Sequence, residues 1–382
     1  METRKLYYED CHLRQFTAQV LTCRECGKGH AVTLSATAFY PEGGGQACDL
    51  GTLDDANVLA VQENGEEILH FCDKKLEIGS TVTGRIDWAR RFDLMQQHSG
   101  EHIVSGLVHS LCGYHNVGFH VGSEVMEIDF DGPISAQLLW EIEGKANEAV
   151  WQNLPILCHY PSEAELPNVV YRSKKALDWP VRIVQIPGYD SCACCGVHVA
   201  STGEIGLIKI LSCVKFHQGV RIEMTCGARA LRLMQGIFEQ NRAVSQAFSA
   251  KMLETGEAAR KMNDALSAEK LRSNTLQTQL LRQTAKGYEN AGNVVHFEEN
   301  LASAQLRELT DAIAKVCGGR AAVFSGSGEN WNVCMLHPGG DLSPVIGALK
   351  AAFCVRGGGK PGSFQGTVTA SRQQMEDLLT KL

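Results

Sequence analysis

FDLMQQHSGEHIVSGLVHSL, residues 92–111, is the stretch that decides how the chain folds. Before it the apolar pattern has a period of two. Within it Leu94, Met95, Ile103, Val104, Leu107 and Leu111 fall on one helical stripe. A helix running to about Leu111 is predicted, and it carries His98 and His102 four residues apart. Side chains at that spacing share a helix face, so both imidazoles can reach one point. Ahead of the helix, FTAQVLTC, HAVTLSATAFY, NVLAVQENGEEILHF and STVTGRIDW alternate apolar and polar residues between Gly-rich or acidic turns. That pattern predicts a small antiparallel β-barrel over residues 1–88. Behind the helix, a second one is predicted over 133–153, with Pro133 in its first turn, and strands over 181–186, 203–213 and 219–226. Residues 89–226 then form an α+β domain, a helix packed on an antiparallel sheet.

From Ala228 to about Lys286 there is no proline, and Ala, Leu, Gln, Lys and Glu dominate. A long helical arm over 227–290 is predicted, interrupted near Gly256. Residues 291–382 read as a compact C-terminal α/β domain. The fold class is thus α+β multidomain.

The chain has 382 residues, 44% hydrophobic and 21% charged, which is the make-up of a globular protein. No run of about 18 apolar residues is present, so a membrane helix is not expected. The N-terminus lacks an apolar secretory segment, and a cytoplasmic location follows as an expectation. In that compartment the fifteen cysteines read as thiols or metal ligands and not as disulfides. A net charge of −7 argues against a protein that simply coats nucleic acid. The arm alone is basic, with 10 Lys and Arg against 6 Asp and Glu. Arg229, Arg232, Arg242, Lys251, Arg260 and Lys261 are its candidate RNA contacts, with a solvated helix face or an oligomerisation element as the plainer readings.

The histidine pair has a counterpart in Cys194-Cys-Gly-Val-His198, a thiol and an imidazole at the same spacing after the strand VRIVQI. Together they make a Cys-His₃ set suited to four-coordinate zinc. Cys192, Cys194 and Cys195 compete for the thiol position. The matching spacing favours Cys194, and Cys195 stays open. His-x-x-Glu-His is also an inverted peptidase pattern, which would want a third ligand such as Glu141 or Glu143. Cys23-x-x-Cys26 with His30 resembles half a zinc ribbon without its second half. Gly357-Gly-Gly-Lys360 fails the P-loop spacing and reads as a glycine-rich turn, or as a phosphate contact through Arg356 and Lys360.

His98-x-x-x-His102 with Cys194-x-x-x-His198 resembles the editing domain of alanyl-tRNA synthetase and of the free-standing alanyl-tRNA editing proteins. Thr37-Ala-Phe-Tyr-Pro-Glu-Gly-Gly-Gly-Gln46 followed by Asp49-Leu-Gly51, His198-Val-Ala-Ser-Thr-Gly-Glu-Ile-Gly206 and Gly219-Val-Arg-Ile-Glu223 resemble further motifs of that family. Arg356-Gly-Gly-Gly-Lys-Pro361 resembles the C-terminal domain shared by these synthetases and DHH-type phosphoesterases. The resemblance implies a zinc-dependent deacylase that acts in trans on mischarged tRNA(Ala), carrying serine or glycine. Zinc would activate water, polarise the ester carbonyl or hold the substrate's amino group. The barrel begins near residue 16, which leaves no room for a preceding aminoacylation domain, so editing without ligation is expected. Glu101 is a candidate general base, or else a partner of His102. His120 stands where the synthetase usually has Gln ahead of a Gly-Ser pair, and with Ser123 it is a candidate substrate contact. Gly43, Gly44, Gly45 and Gln46 allow close approach of a ligand, or simply a tight turn. Cys195 and Val197 replace the usual Gly and Thr of the metal motif. A homodimer through the arm and C-terminal domain is a further expectation. The other readings are a tRNA-binding or dimerisation protein with structural zinc, and the peptidase.

Overall fold

In a computed structural model, residues 3–27, 29–173, 177 and 179–382 are described. They divide into two compact units, Met1–Arg242 and Ala243–Leu382.

In the first unit, six strands close into a barrel in the order Gln15–Cys26, Gly29–Leu34, Glu67–Cys72, Ala56–Asn64, Gly51–Leu53 and Thr81–Ile86. Their alternation sends Phe16, Ala18, Val20, Val32, Leu34, Ile68 and Val82 inward. Cys23 and Cys26 lie in the first of these strands and His30 in the second. None of the three belongs to a grouping of metal-capable side chains among the described residues.

Helix α1, Trp88–Cys112, begins four residues before the predicted stretch because Asp87 caps it, accepting from the Arg90 amide at 3.2 Å. Gly113, at φ 73°, ends it in the left-handed conformation. A single apolar stripe was expected, but from Leu94 to Val108 the helix is buried on every side. Its polar residues must therefore find partners. Gln97, for example, exchanges two hydrogen bonds with the Cys226 backbone, at 2.7 and 3.0 Å. Gly100 lets the helix press on the strand Gly219–Cys226, since a Cβ there would lie 2.3 Å from Cys226 Sγ. Arg91 and Asp49, both fully buried, rivet the helix to the barrel. Arg91 also donates to the Ala38 carbonyl at 2.5 Å, and Asp49 accepts from the Tyr40 amide at 2.5 Å.

Helix α2, Ala136–Gln152, starts after Pro133 with Ser135 as its cap. A four-stranded sheet runs in the order Ile208–Phe216, Gly219–Cys226, Met126–Phe130, Asn116–Val121. A three-stranded one follows the order Leu157–His159, Ile183–Ile186, Asp190–Ala193. The strand expected from 203 begins only at Ile208. Thr202–Ile205 is a short 3-10 turn, closed by Gly206 at φ 80°.

The expected arm is two helices, α3 (Gly227–Ala247) and α4 (Thr255–Lys286). The break falls before Gly256, at a segment containing Ser249 with φ 50°. Arg229 is not a surface cation: it is buried and bonds to Asp93 and to the Gly122 carbonyl.

In the second unit a five-stranded sheet has the order Gly292–Glu298, Gly318–Ser327, Asn330–Leu336, Ser363–Thr369, Cys354–Lys360, packed with α5 (Ser303–Val316), α6 (Ser343–Ala352) and α7 (Arg372–Leu379). The glycine-rich stretch expected as a turn is its edge strand. Glycine is needed there because a Cβ on Gly357 would lie 2.3 Å from the Gln365 carbonyl across the ladder.

Candidate metal centre

Helix α1 supplies His98 and His102 one turn apart. The loop after the strand Asp190–Ala193 brings Cys194 and His198 to the same point. The four donor atoms lie within 4.8 Å of one another. The three imidazole rings are buried, with centroids 4.6 to 5.4 Å apart.

Each ring is turned by a bond on its Nδ1 side. His98 Nδ1 meets Gln46 Oε1 at 2.8 Å and His102 Nδ1 meets Asp190 Oδ2 at 2.8 Å. His198 Nδ1 faces Ser99 Oγ at 3.4 Å. All three Nε2 atoms are thereby left for the centre, the arrangement in which an outer partner fixes the tautomer of a metal-binding histidine. His98 Nε2 stands 3.5 Å from Cys194 Sγ. His198 Nε2 is buried and has no hydrogen-bond partner among the described residues. An orphaned imidazole nitrogen beside a thiol and two more imidazoles is a donor set that fits a borderline-soft cation.

The electrostatics single out one thiol. Burial works against a thiolate at Cys194, but the imidazoles crowded around it, His98 foremost, outweigh it and hold Cys194 well below the usual thiol range. Burial pushes Cys192 up to about 11. Cys195 is exposed and points its carbonyl at Tyr8 Oη, 2.6 Å away. Burial pushes His198 down to about 3, leaving its lone pair free. At His102 burial acts in the same direction, yet the bond to Asp190 prevails and raises it, keeping a proton on Nδ1 while Nε2 faces the centre.

Three supporting residues had no signal in the spacing. Arg172 donates to both oxygens of Asp190, at 2.7 and 2.9 Å. Arg182 donates to the carbonyls of Cys194 and Gly196, at 2.9 Å each, and so clamps the ligand loop. Gly196 lets that loop approach, because a Cβ there would lie 2.2 Å from His98 Cε1.

Other expected residues lie elsewhere. Glu101 is buried, but its carboxylate accepts from Ser105 Oγ and Asn116 Nδ2 at 2.5 Å each, and Asp190 takes the place beside His102. His120 is exposed, and strand alternation puts it on the face opposite Phe119, whose ring lies 5.2 Å from His98. Ser123 is exposed in the turn between two strands. Gly44 and Gly45 adopt φ 59° and 82°, and Gly45 packs on Phe119, so the glycine run is accounted for by its tight turn. Of that run Gln46 alone bonds a residue of the cluster. Glu143 is engaged by Lys209 and the Ile210 amide, and Glu141 lies by Lys145, so neither supplies the peptidase's third ligand. Arg356 and Lys360 are both exposed on the edge strand of the second unit.

Residues 181–223 match the family model of the threonyl and alanyl tRNA synthetase second additional domain, and residues 2–90 match that of the class II (A) tRNA synthetases. Over 396 residues the chain is 28% identical to the alanyl-tRNA editing protein Aarsd1 of Mus musculus, covering 97% of this chain and 95% of that protein. It is 32% identical over 299 residues to Aarsd1 of Bos taurus, covering 72% of this chain and 65% of that protein. The alanine–tRNA ligase of Ignicoccus hospitalis is 30% identical over 399 residues, with 100% of this chain matched to 43% of the ligase. The chain thus spans nearly the whole of the mouse editing protein and less than half of the ligase.

Proposed function

The chain is a relative of the alanyl-tRNA editing proteins over nearly its whole length, and on that premise we propose that it hydrolyses mischarged tRNA(Ala) in trans, releasing serine or glycine and sparing alanine. The observation that carries this reading is the meeting of His98, His102, Cys194 and His198 with their donor atoms turned inward. A pocket that accepts alanine cannot strongly reject a side chain that merely adds a hydroxyl, nor a smaller one. A second site that hydrolyses the wrong ester supplies the missing discrimination.

We assign the four residues as zinc ligands. When bound, zinc would supply Lewis acidity, polarising the ester carbonyl or acidifying a water near pH 7. The protein's own share is to hold the donors: Gln46, Asp190 and Ser99 fix the tautomers, and Arg182 and Gly196 hold the thiolate loop close. Hydrolysis forms a bond from water oxygen to the acyl carbon and breaks the bond to the ribose oxygen. The ribose oxygen takes a proton, and the amino acid leaves with a free carboxylate. The barrel and editing region, residues 1–226, hold this chemistry; the arm, 227–290, and the C-terminal domain, 291–382, serve RNA binding or pairing with a second copy. Arg356 and Lys360 are the RNA-phosphate contacts. A protein of this activity works in the cytoplasm.

A complete Cys-His₃ set also suits a purely structural zinc, since structural sites are closed and catalytic ones keep an open position. One assay separates the readings. Purified protein is incubated with tRNA(Ala) charged with serine, glycine or alanine, with and without a chelator. Fast, chelator-sensitive loss of serine or glycine with alanine spared is the expected result. Binding of the charged tRNA without turnover by zinc-loaded protein would reject the deacylase and leave the structural-zinc reading.

A further inference from the structure

Gln46 does more than turn a histidine. Its side chain is almost fully buried, at 1% exposure, and its position is set by a tight hairpin in which Gly43 and Gln46 exchange backbone hydrogen bonds of 3.0 and 3.1 Å. Oε1 accepts from His98 Nδ1 at 2.8 Å. The orientation of the amide follows from His98. For His98 Nε2 to face the centre with a lone pair, Nδ1 must carry the proton, so it must meet an oxygen and not the amide nitrogen. Gln46 Nε2 is then left with its N–H groups, and it is buried without a hydrogen-bond partner among the described residues. Phe119 closes one side, packing on Gly45 and on the His98 ring. A buried donor with fixed direction, one residue removed from the metal centre, is the form in which proteins store a contact for a ligand oxygen.

We propose that Gln46 Nε2 donates to the carbonyl oxygen of the bound aminoacyl ester and stabilises the negative charge that develops there when water adds to the acyl carbon. The inference rests on the editing assignment above. Gln46 becomes a catalytic residue as well as a support for His98, and it acts on serine and glycine esters alike because the carbonyl is common to both. The bond needs no rearrangement during reaction, since the His98 contact already sets the amide.

The test uses the full chain loaded with zinc and single-turnover deacylation of tRNA(Ala) carrying serine or glycine. Gln46→Glu keeps an oxygen for His98 Nδ1 and removes the donor. It should retain zinc content and zinc affinity within about threefold, while the rate falls about 10²-fold for both esters. Gln46→Leu removes acceptor and donor together, so zinc affinity should fall as well, with the rate per bound zinc reduced by a similar factor. A rate per bound zinc within threefold of wild type in either variant overturns the proposal. So does a loss confined to the serine ester, which would mean that the amide reads the side-chain hydroxyl. Loss of zinc from Gln46→Glu that accounts for the whole loss of rate would reduce Gln46 to a support. Failure of wild type on both esters would instead reject the editing assignment itself.

Discussion

A buried histidine outside the metal centre shows how strongly position governs a side chain here. His70 lies inside the barrel wall, bonded to Thr37 Oγ1 at 2.8 Å and to the Val32 carbonyl at 3.1 Å. Burial pushes it down to about 4. The unfolded chain, with an ordinary histidine near 6.5, binds more protons than the folded one between those values. Its stabilising contribution is therefore complete above about pH 6.5 and is lost as pH falls toward 4, by about 3 kcal/mol in all. Urea unfolding followed across that range should show a shallower loss of stability in His70→Gln than in wild type; equal slopes would contradict it. His70 carried no sequence signal, whereas the ligand histidines did. His98 and His102 share a helix face by spacing alone, and Cys194 with His198 repeats that spacing. Asp190, Arg172 and Arg182 were not legible because their roles depend on which strand folds beside α1, not on distance along the chain. For Glu101, proximity in sequence to the ligands likewise does not say which way the side chain turns: it bonds Ser105 and Asn116.

At the scale of elements, α1 is the part the sequence described best and yet incompletely. Its apolar stripe marked a helix, but the burial of its polar face follows from two sheets and the barrel hairpin closing around it. Arg91 is the clearest case, a full charge with 0% exposure, matched to Asp49 from the stretch that follows the glycine turn. Removing one member of such a pair strands the other charge. Arg91→Ala should lower unfolding free energy by about 3–5 kcal/mol, while replacing Arg91 and Asp49 together by apolar residues should cost less than that single change. Denaturant titrations of the three proteins decide the matter; a double variant as unstable as Arg91→Ala would mean the loss is one of packing. The arm was read correctly as helical, but its break was misplaced. Gly256 drew attention as a weak helix former, and the chain turns a few residues earlier, where Ser249 takes a positive φ. Of the two readings of the glycine run near the C-terminus, the turn gives way to a strand for a related reason. Glycine in a strand often marks close backbone approach, and here that approach is across the ladder to Gly366.

For the whole molecule, the chain divides into an N-terminal unit holding the four-residue cluster and a C-terminal unit holding a mixed sheet. No helix among the described residues is long and apolar enough to cross a membrane. If Arg356 and Lys360 meet tRNA phosphates, Arg356→Ala with Lys360→Ala should weaken tRNA binding several-fold and flatten its salt dependence, with zinc content unchanged. Filter binding from low to moderate salt measures both; an unchanged salt slope would remove this edge strand from the RNA surface. The central claim concerns the other unit: the four converging side chains hold a zinc on which deacylation depends. Adding zinc stepwise to metal-stripped protein while following serine release from tRNA(Ala) tests it most directly. The rate should climb with occupancy and level off at one equivalent per chain, and Cys194→Ala should stay flat. Serine release that is already complete in stripped protein, or indifferent to added zinc, would contradict the account.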